Sequence, residues 1–210
     1  MAKLKFFVAT VFLLAGTSLS AQTLDVDALG VYHPSTVREV FAVSRYVKLD
    51  AAQQRALASA FEREDSVFVA RVKADGGILS VKGNREVQKM HDRAIARVLD
   101  GEQLEQYYRG VFDKEADAEG IAVANRLQKK YGLTDQNWKF IRIAFYKIGL
   151  DSRVINKLMA DQPAKARKKI ETLRSEMLAS IEAKGGIRVN PEGTTVTVVK
   201  PFDPNSLHKK

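Results

Sequence analysis

The phrase LDAAQ at residues 49–53 returns as LDGEQ at 99–103 and, more loosely, as LTDQN at 133–137, each time at the head of a run with helical periodicity. Its parts have mechanical meanings. Leu49, Leu99 and Leu133 stand just outside a helix, and Asp50, Asp100 and Thr134 supply an N-cap oxygen. Gln53, Gln103 and Asn137 carry an amide three residues on that reaches back in a capping box. Three such starts constrain the chain to an all-α fold: an elongated set of helical hairpins, or a bundle, of about six to seven helices.

The remaining boundaries follow from periodicity and breakers. Thr36 with Glu39 reads as a capping box for a first short helix carrying Val37, Val40, Phe41 and Val47. The helix opened at Leu49 places Leu57, Ala60, Phe61, Phe68 and Val72 on one face and stops at Gly76 and Gly77. Gly83 and Asn84 mark ILSVKGN as a loop or short extended piece, with helix resuming near Arg85. The helix opened at Leu99 runs to Tyr131 with Gly132 as its stop, its apolar face spaced by Leu104, Tyr107, Val111, Phe112, Ile121 and Leu127. Leu133 and Trp138 have hydrophobic-staple spacing at the start of a helix that Gly149 ends. A shorter helix follows over 151–160, and Pro163 opens a last one closed by Gly185 and Gly186. Beyond it the β-branched tail 187–210 reads as a short β-hairpin around Asn-Pro-Glu-Gly or as disorder.

Residues 1–21 have a basic start (Lys3, Lys5), the apolar run FFVATVFLLAG and the small-residue exit TSLSA, the layout of a secretory signal peptide cleaved near Ala21. That layout predicts a periplasmic or secreted protein. The helical domain is then 22–186, as one unit or as two halves, 22–131 and 132–186. With no cysteine, neither a disulfide nor a lipidated cysteine is available, and packing holds the domain together. Without Lys3 and Lys5 the formal charge falls from +9 to about +7. In an exported chain this favours anionic envelope surfaces, lipid headgroups or client proteins over nucleic acid, or else a solvated surface with no partner.

Little in the sequence points to catalysis. There is no cysteine, no GxSxG, no P-loop and no GxGxxG after a strand, so no cofactor is expected. His33, His91 and His208 are scattered and form no HExxH. Met90 and His91 are one soft-donor pair, read as a core methionine and a helix-face histidine rather than a metal site. The acidic groups Glu62, Glu64 and Asp65, and Asp113, Glu115 and Asp117, read as solvated helix faces. Lys165, Arg167, Lys168, Lys169 and Arg174 crowd about three turns of the last helix around the stripe of Ile170, Leu173 and Met177. Such a helix either binds a partner or membrane surface or is the solvated face of a core helix. Phe140 and Tyr146 fall off the Trp138 stripe, so their helix is packed on more than one side or offers a patch.

The stretch from LDAAQ through RAIARVLDGEQLEQYY, about residues 49–112, resembles the Spy/CpxP group of exported helical stress proteins, marked by two L-T-x-x-Q phrases of which the second precedes an aromatic. Here Leu99, Asp100 and Gln103 with Tyr107 fill that second phrase, and Asp50 and Asp100 stand where the family has threonine. The resemblance implies a dimerising helical-hairpin cradle, a non-enzymatic envelope protein that binds unfolded clients or a stress-sensor partner. The alternatives are a metal-responsive sensor using His91, Met90 and carboxylates, and a structural protein held on anionic envelope surfaces.

Overall fold

The structure, a computed structural model, describes residues 24–199. The leader and cleavage site expected at 1–21, and His208, lie outside the described residues. Seven helices and one small hairpin follow in order: α1 (Val26–Leu29), α2 (Pro34–Ser44), α3 (Ala51–Ala74), α4 (Val81–Val98), α5 (Gly101–Tyr131), α6 (Asp135–Leu158), α7 (Pro163–Gly185), β1 (Ile187–Val189) and β2 (Val196–Val198). The all-α expectation therefore holds, with a β-hairpin at the C-terminal end. None of the described helices is long and apolar enough to cross a membrane.

All three phrases start helices. Asp50 and Asp100 close full capping boxes with Gln53 and Gln103, while Thr134 caps α6 by accepting from the Asn137 N–H at 3.2 Å. Leu133 and Trp138 both pack into the core beneath that start, as a staple does. Pro163 sits in the first turn of α7, and Gly132 ends α5 in the left-handed region.

Four boundaries differ from the sequence expectation. The cap of α2 is His33, whose Nδ1 accepts from the Ser35 N–H, with Pro34 in the first turn; Thr36 is buried inside the helix. A single turn, α1, precedes it, held where the Asp25 N–H donates to Gln54 Oε1 at 2.9 Å. Residues 81–84 are helix, because the Ser80 hydroxyl caps the Gly83 N–H at 3.0 Å. Gly83 is there for space: a Cβ would stand 2.6 Å from Asp75 Oδ2, the same oxygen that accepts the Ser80 N–H. Finally, α6 runs through Gly149 without a break, so no separate helix begins at Asp151. A Cβ on Gly149 would lie 2.9 Å from Glu119 Oε2, which makes the glycine a point of close approach between α5 and α6.

The apolar interior forms three clusters. The first gathers α1, α2 and the roots of α3 and α4 around Val40, Val43, Leu57, Phe61 and Ile95. The second lies among α5, α6, α7 and the hairpin, around Ala124, Leu127, Ile141, Phe145 and Ile181. The third, Tyr108, Ala116, Leu150 and Val154, sits between the first turns of α5 and the end of α6. With 31 residues and a length of about 46 Å, α5 touches all three. Its packing face keeps part of the predicted stripe, with Leu127 and Tyr108 buried and Leu104, Tyr107 and Phe112 packed against the clusters, but Val111 is exposed and small residues the stripe lacked, Ala116, Gly120 and Ala124, are buried at four-residue spacing. Across that narrow seam the acidic residues of α5 find partners on α6. Asp117 pairs with Arg142 at 2.8 Å, Glu115 and Glu119 with Arg153 at 2.9 Å, and the Tyr146 hydroxyl donates to Asp113 at 2.7 Å. These acids remain a largely solvated face, as expected, and additionally pair across to α6, each exposed pair contributing little on its own.

The hairpin is antiparallel, with Ile187 opposite Val198. Alone it would be marginal. Ile187 and Val189 are buried in the second cluster, and Arg126 donates to the Gly193 carbonyl at 2.8 Å, so packing holds the strands. Asn190 Oδ1 closes the turn by accepting the N–H groups of Thr194 and Thr195 at 2.7 and 2.9 Å.

Candidate functional site

The two strict phrases meet. Within each box, the N-cap aspartate accepts the glutamine N–H, at 2.7 Å for Gln53 and 2.8 Å for Gln103, while the glutamine Oε1 accepts the aspartate N–H. Each side-chain amide then crosses to the other phrase. Gln53 Nε2 donates to Gln103 Oε1 at 2.7 Å and to the Val98 carbonyl at 3.2 Å; Gln103 Nε2 donates to Gln53 Oε1 at 3.3 Å and to the Lys48 carbonyl at 2.8 Å. Lys48 and Val98 occupy the same place in their phrases, one residue before the leucine, so the arrangement repeats under an approximate two-fold exchange. Both amide protons and both oxygen lone pairs of each glutamine are used. Below them Leu49 and Leu99 are buried in the first cluster. The sequence carries the repeat but not the contact, because the contact needs α5 to start beside α3.

This junction is the root of a two-helix arm. No residue between Phe61 and Ala94 belongs to any apolar cluster, so α3 beyond Phe61, about 20 Å of helix, and the facing part of α4 project without a covering element. The arm carries apolar surface: Phe68 is 42 % exposed, Val69 50 %, Ile78 82 % and Val81 73 %. Toward its root a groove of about 380 Å³ runs between the helices, floored by Ala56, Ala60, Ala94 and Val98 and edged by Arg63, Arg93 and Arg97. Arg71, Arg109, Arg142, Arg153 and Arg188 are ion-paired, whereas these three edge arginines have no carboxylate within 4.0 Å among the described residues.

A group of titratable side chains lies near the base of the arm. His91 stacks on Phe61, with ring centroids 4.9 Å apart, and its Nδ1 lies 3.1 Å from Glu64 Oε2. Burial raises the Glu64 carboxyl above the ordinary range, the hydrogen bond to His91 working against it. Glu39 on α2 is raised too, by burial and then by the charge of Asp65, with His91 opposing. Asp92 pairs with Lys157 of α6 at 2.5 Å, tying α4 to the far bundle, and burial pushes the Tyr107 phenol beside it up to about 12. Met90 lines the arginine-edged groove, and no group of three or more His, Cys, Asp or Glu side chains converges as a metal site among the described residues.

The raised carboxyls give a stability prediction. An acid whose folded value lies above its unfolded value adds stability below the unfolded value and loses it as pH rises through the folded one. Replacing Glu39 by Gln therefore removes a cost present at neutral pH. Thermal melts should show Glu39→Gln unfolding above the wild type at pH 7, with that advantage disappearing near pH 4. An equal or lower midpoint at pH 7 would contradict the burial cost.

The basic patch of α7 divides. Lys165, Lys168 and Lys169 line a groove of about 590 Å³ shared with α5 and α6, whereas Arg167 and Arg174 are exposed outside it. Compared with models of known families, with curated proteins and with solved structures, the chain gives no match.

Proposed function

We propose that the protein is a non-enzymatic, exported partner-binding protein of the Spy/CpxP kind, which holds unfolded client segments, or a stress-sensor partner, on amphipathic helix faces. The observation that carries the reading is the uncovered α3/α4 arm. Its exposed Phe68, Val69, Ile78 and Val81 sit beyond any core, and Arg63, Arg93 and Arg97, with no carboxylate partner among the described residues, flank the groove at its root. Exposed apolar surface rimmed by charge suits transient capture of aggregation-prone segments, because burial of the client's apolar groups supplies the attraction and the cations keep the complex soluble. The paired caps, formed by the two phrases that resemble that group's repeat, fix the root from which the arm projects. The apolar run FFVATVFLLAG within the leader fits export.

The test is aggregation of a chemically denatured client followed by light scattering. Stoichiometric protein is expected to suppress the rise, and Phe68→Ser combined with Ile78→Ser to lose most of that suppression. Both positions are surface sites outside the core, so the unfolding midpoint should move by no more than about 0.5 kcal/mol in stability. Client precipitation at the control rate in the presence of wild-type protein would refute the proposal.

A further inference from the structure

The groove between α5, α6 and α7 breaks local rules in one place. Lys165 stands three and four residues before Lys168 and Lys169, so it repels both on one helix face, and it does so in the first turn of α7, where the helix dipole is positive. No acidic residue occupies that first turn, and Gln162 provides no side-chain cap. None of the three lysines has a carboxylate within 4.0 Å among the described residues. The facing wall offers them nothing, because Glu105 and Asp151 are both taken by Arg109, at 2.9 and 2.6 Å. Glu176 lines the groove about two turns further along α7 from Lys169, at the end away from the lysines. Between these ends the floor is apolar, with Val154 and Ile155 at the bottom and Leu158, 38 % exposed, at the side. One end of the groove thus demands negative charge and its floor demands hydrocarbon.

We propose that this groove binds a monomeric, anionic, single-chain amphiphile such as a medium-chain alkyl carboxylate, its head on Lys165, Lys168 and Lys169 and its tail along Leu158 and Leu173. The volume, about 590 Å³, is that of a small-molecule pocket rather than of a protein interface. The head relieves the repulsion among the lysines and complements the positive end of α7. The tail covers the open part of Leu158, 38 % exposed, and half-buried Leu173, above a closed bottom of buried Val154 and Ile155. This stands independently of client capture, which is assigned to the α3/α4 arm.

Calorimetric titration of the protein with octanoate, decanoate and dodecanoate, each below its micelle concentration, tests it. Affinity is expected to rise up to about fourfold per added methylene until the groove is full, and decanol to bind roughly tenfold more weakly than decanoate. The variant Lys165→Glu/Lys168→Glu/Lys169→Glu should lose decanoate binding while unfolding, without ligand, at an equal or higher temperature, since acids suit that end of the helix. Leu158→Ser is a second variant that keeps the lysines and should weaken dodecanoate more than octanoate. Equal binding of decanoate and decanol, or unchanged affinity in the charge-reversed variant, would overturn the proposal. Sedimentation with anionic vesicles in the absence of any decanoate binding would overturn it too, in favour of a lamellar surface. Because no client protein is in the cell, either result leaves the aggregation assay to decide the client reading separately.

Discussion

Gly120→Ala is expected to destabilise the protein by about 3 kcal/mol, at the upper end of what overpacking usually costs. A Cβ there would stand 2.6 Å from the carbonyl oxygen of Arg142 and 2.9 Å from the N–H nitrogen of Tyr146. Both are backbone atoms of α6, so no side chain can rotate out of the way and the helices must part. Separation loosens Ala116 and Ala124 on one side, and Ile141 and Ala144 on the other, all at most 5 % exposed. The sign is diagnostic, because on helix propensity alone alanine in place of a mid-helix glycine stabilises by about 0.5–1 kcal/mol. Gly101→Ala is the control: it lies in the first turn of α5 with nothing within 4 Å of an added Cβ, and should be neutral or slightly stabilising. Urea unfolding midpoints of the two variants should therefore move in opposite directions or only the first should fall. Equal behaviour would mean that α5 and α6 do not approach as closely as this seam requires.

The same seam explains which parts of the fold were legible in the sequence. Helix starts were readable because a cap is local: Asp50, Asp100, Thr134 and Pro163 act within one turn of themselves. Helix interiors are less legible where a residue answers to a side chain outside its own helical turn. Gly149 resembles a terminator until Glu119 and Arg153 are seen beside it, and Gly83 resembles a loop residue until the Asp75 carboxylate is. The apolar face of α5 mixes large side chains, Tyr108 and Leu127, with the small ones that a close helix pair selects, and the recurrence of alanine and glycine at 116, 120 and 124 is the sequence signal for that pair. His33 is hard to read as a cap because histidine is not a usual N-cap residue, and Thr36 with Glu39 imitates a box one turn later. For the candidate site, the sequence marked Gln53 and Gln103 as helix-start residues. It could not show that each also serves the other, since that depends on α4 returning the chain to the point where α3 began.

The mutual service of those amides sets the second large effect. Gln103→Ala is expected to cost about 1–2 kcal/mol: water can take over the exposed Lys48 carbonyl and Asp100 N–H, whereas the Gln53 amide loses a part-buried partner. Gln53→Ala should cost about the same, through the Val98 carbonyl and the Asp50 N–H. If the two amides form one unit, the double variant loses less than the sum, with a coupling of about 1–2 kcal/mol in a double-mutant cycle. Asn137→Ala serves as the comparison: the Thr134 hydroxyl takes the Asn137 backbone N–H, a bond that alanine retains, so the loss should stay near 0.5 kcal/mol. Gln103→Glu separates the two tasks of this side chain: its carboxylate still accepts from the Asp100 N–H and from Gln53 Nε2, as a capping box allows, but has no proton for the Lys48 carbonyl or Gln53 Oε1. At neutral pH it should therefore keep the cap and lose the crossing bonds it donates, and its double-mutant coupling with Gln53→Ala should fall. Additive single losses for the two alanine variants would show the two phrases to be independent caps that happen to be neighbours.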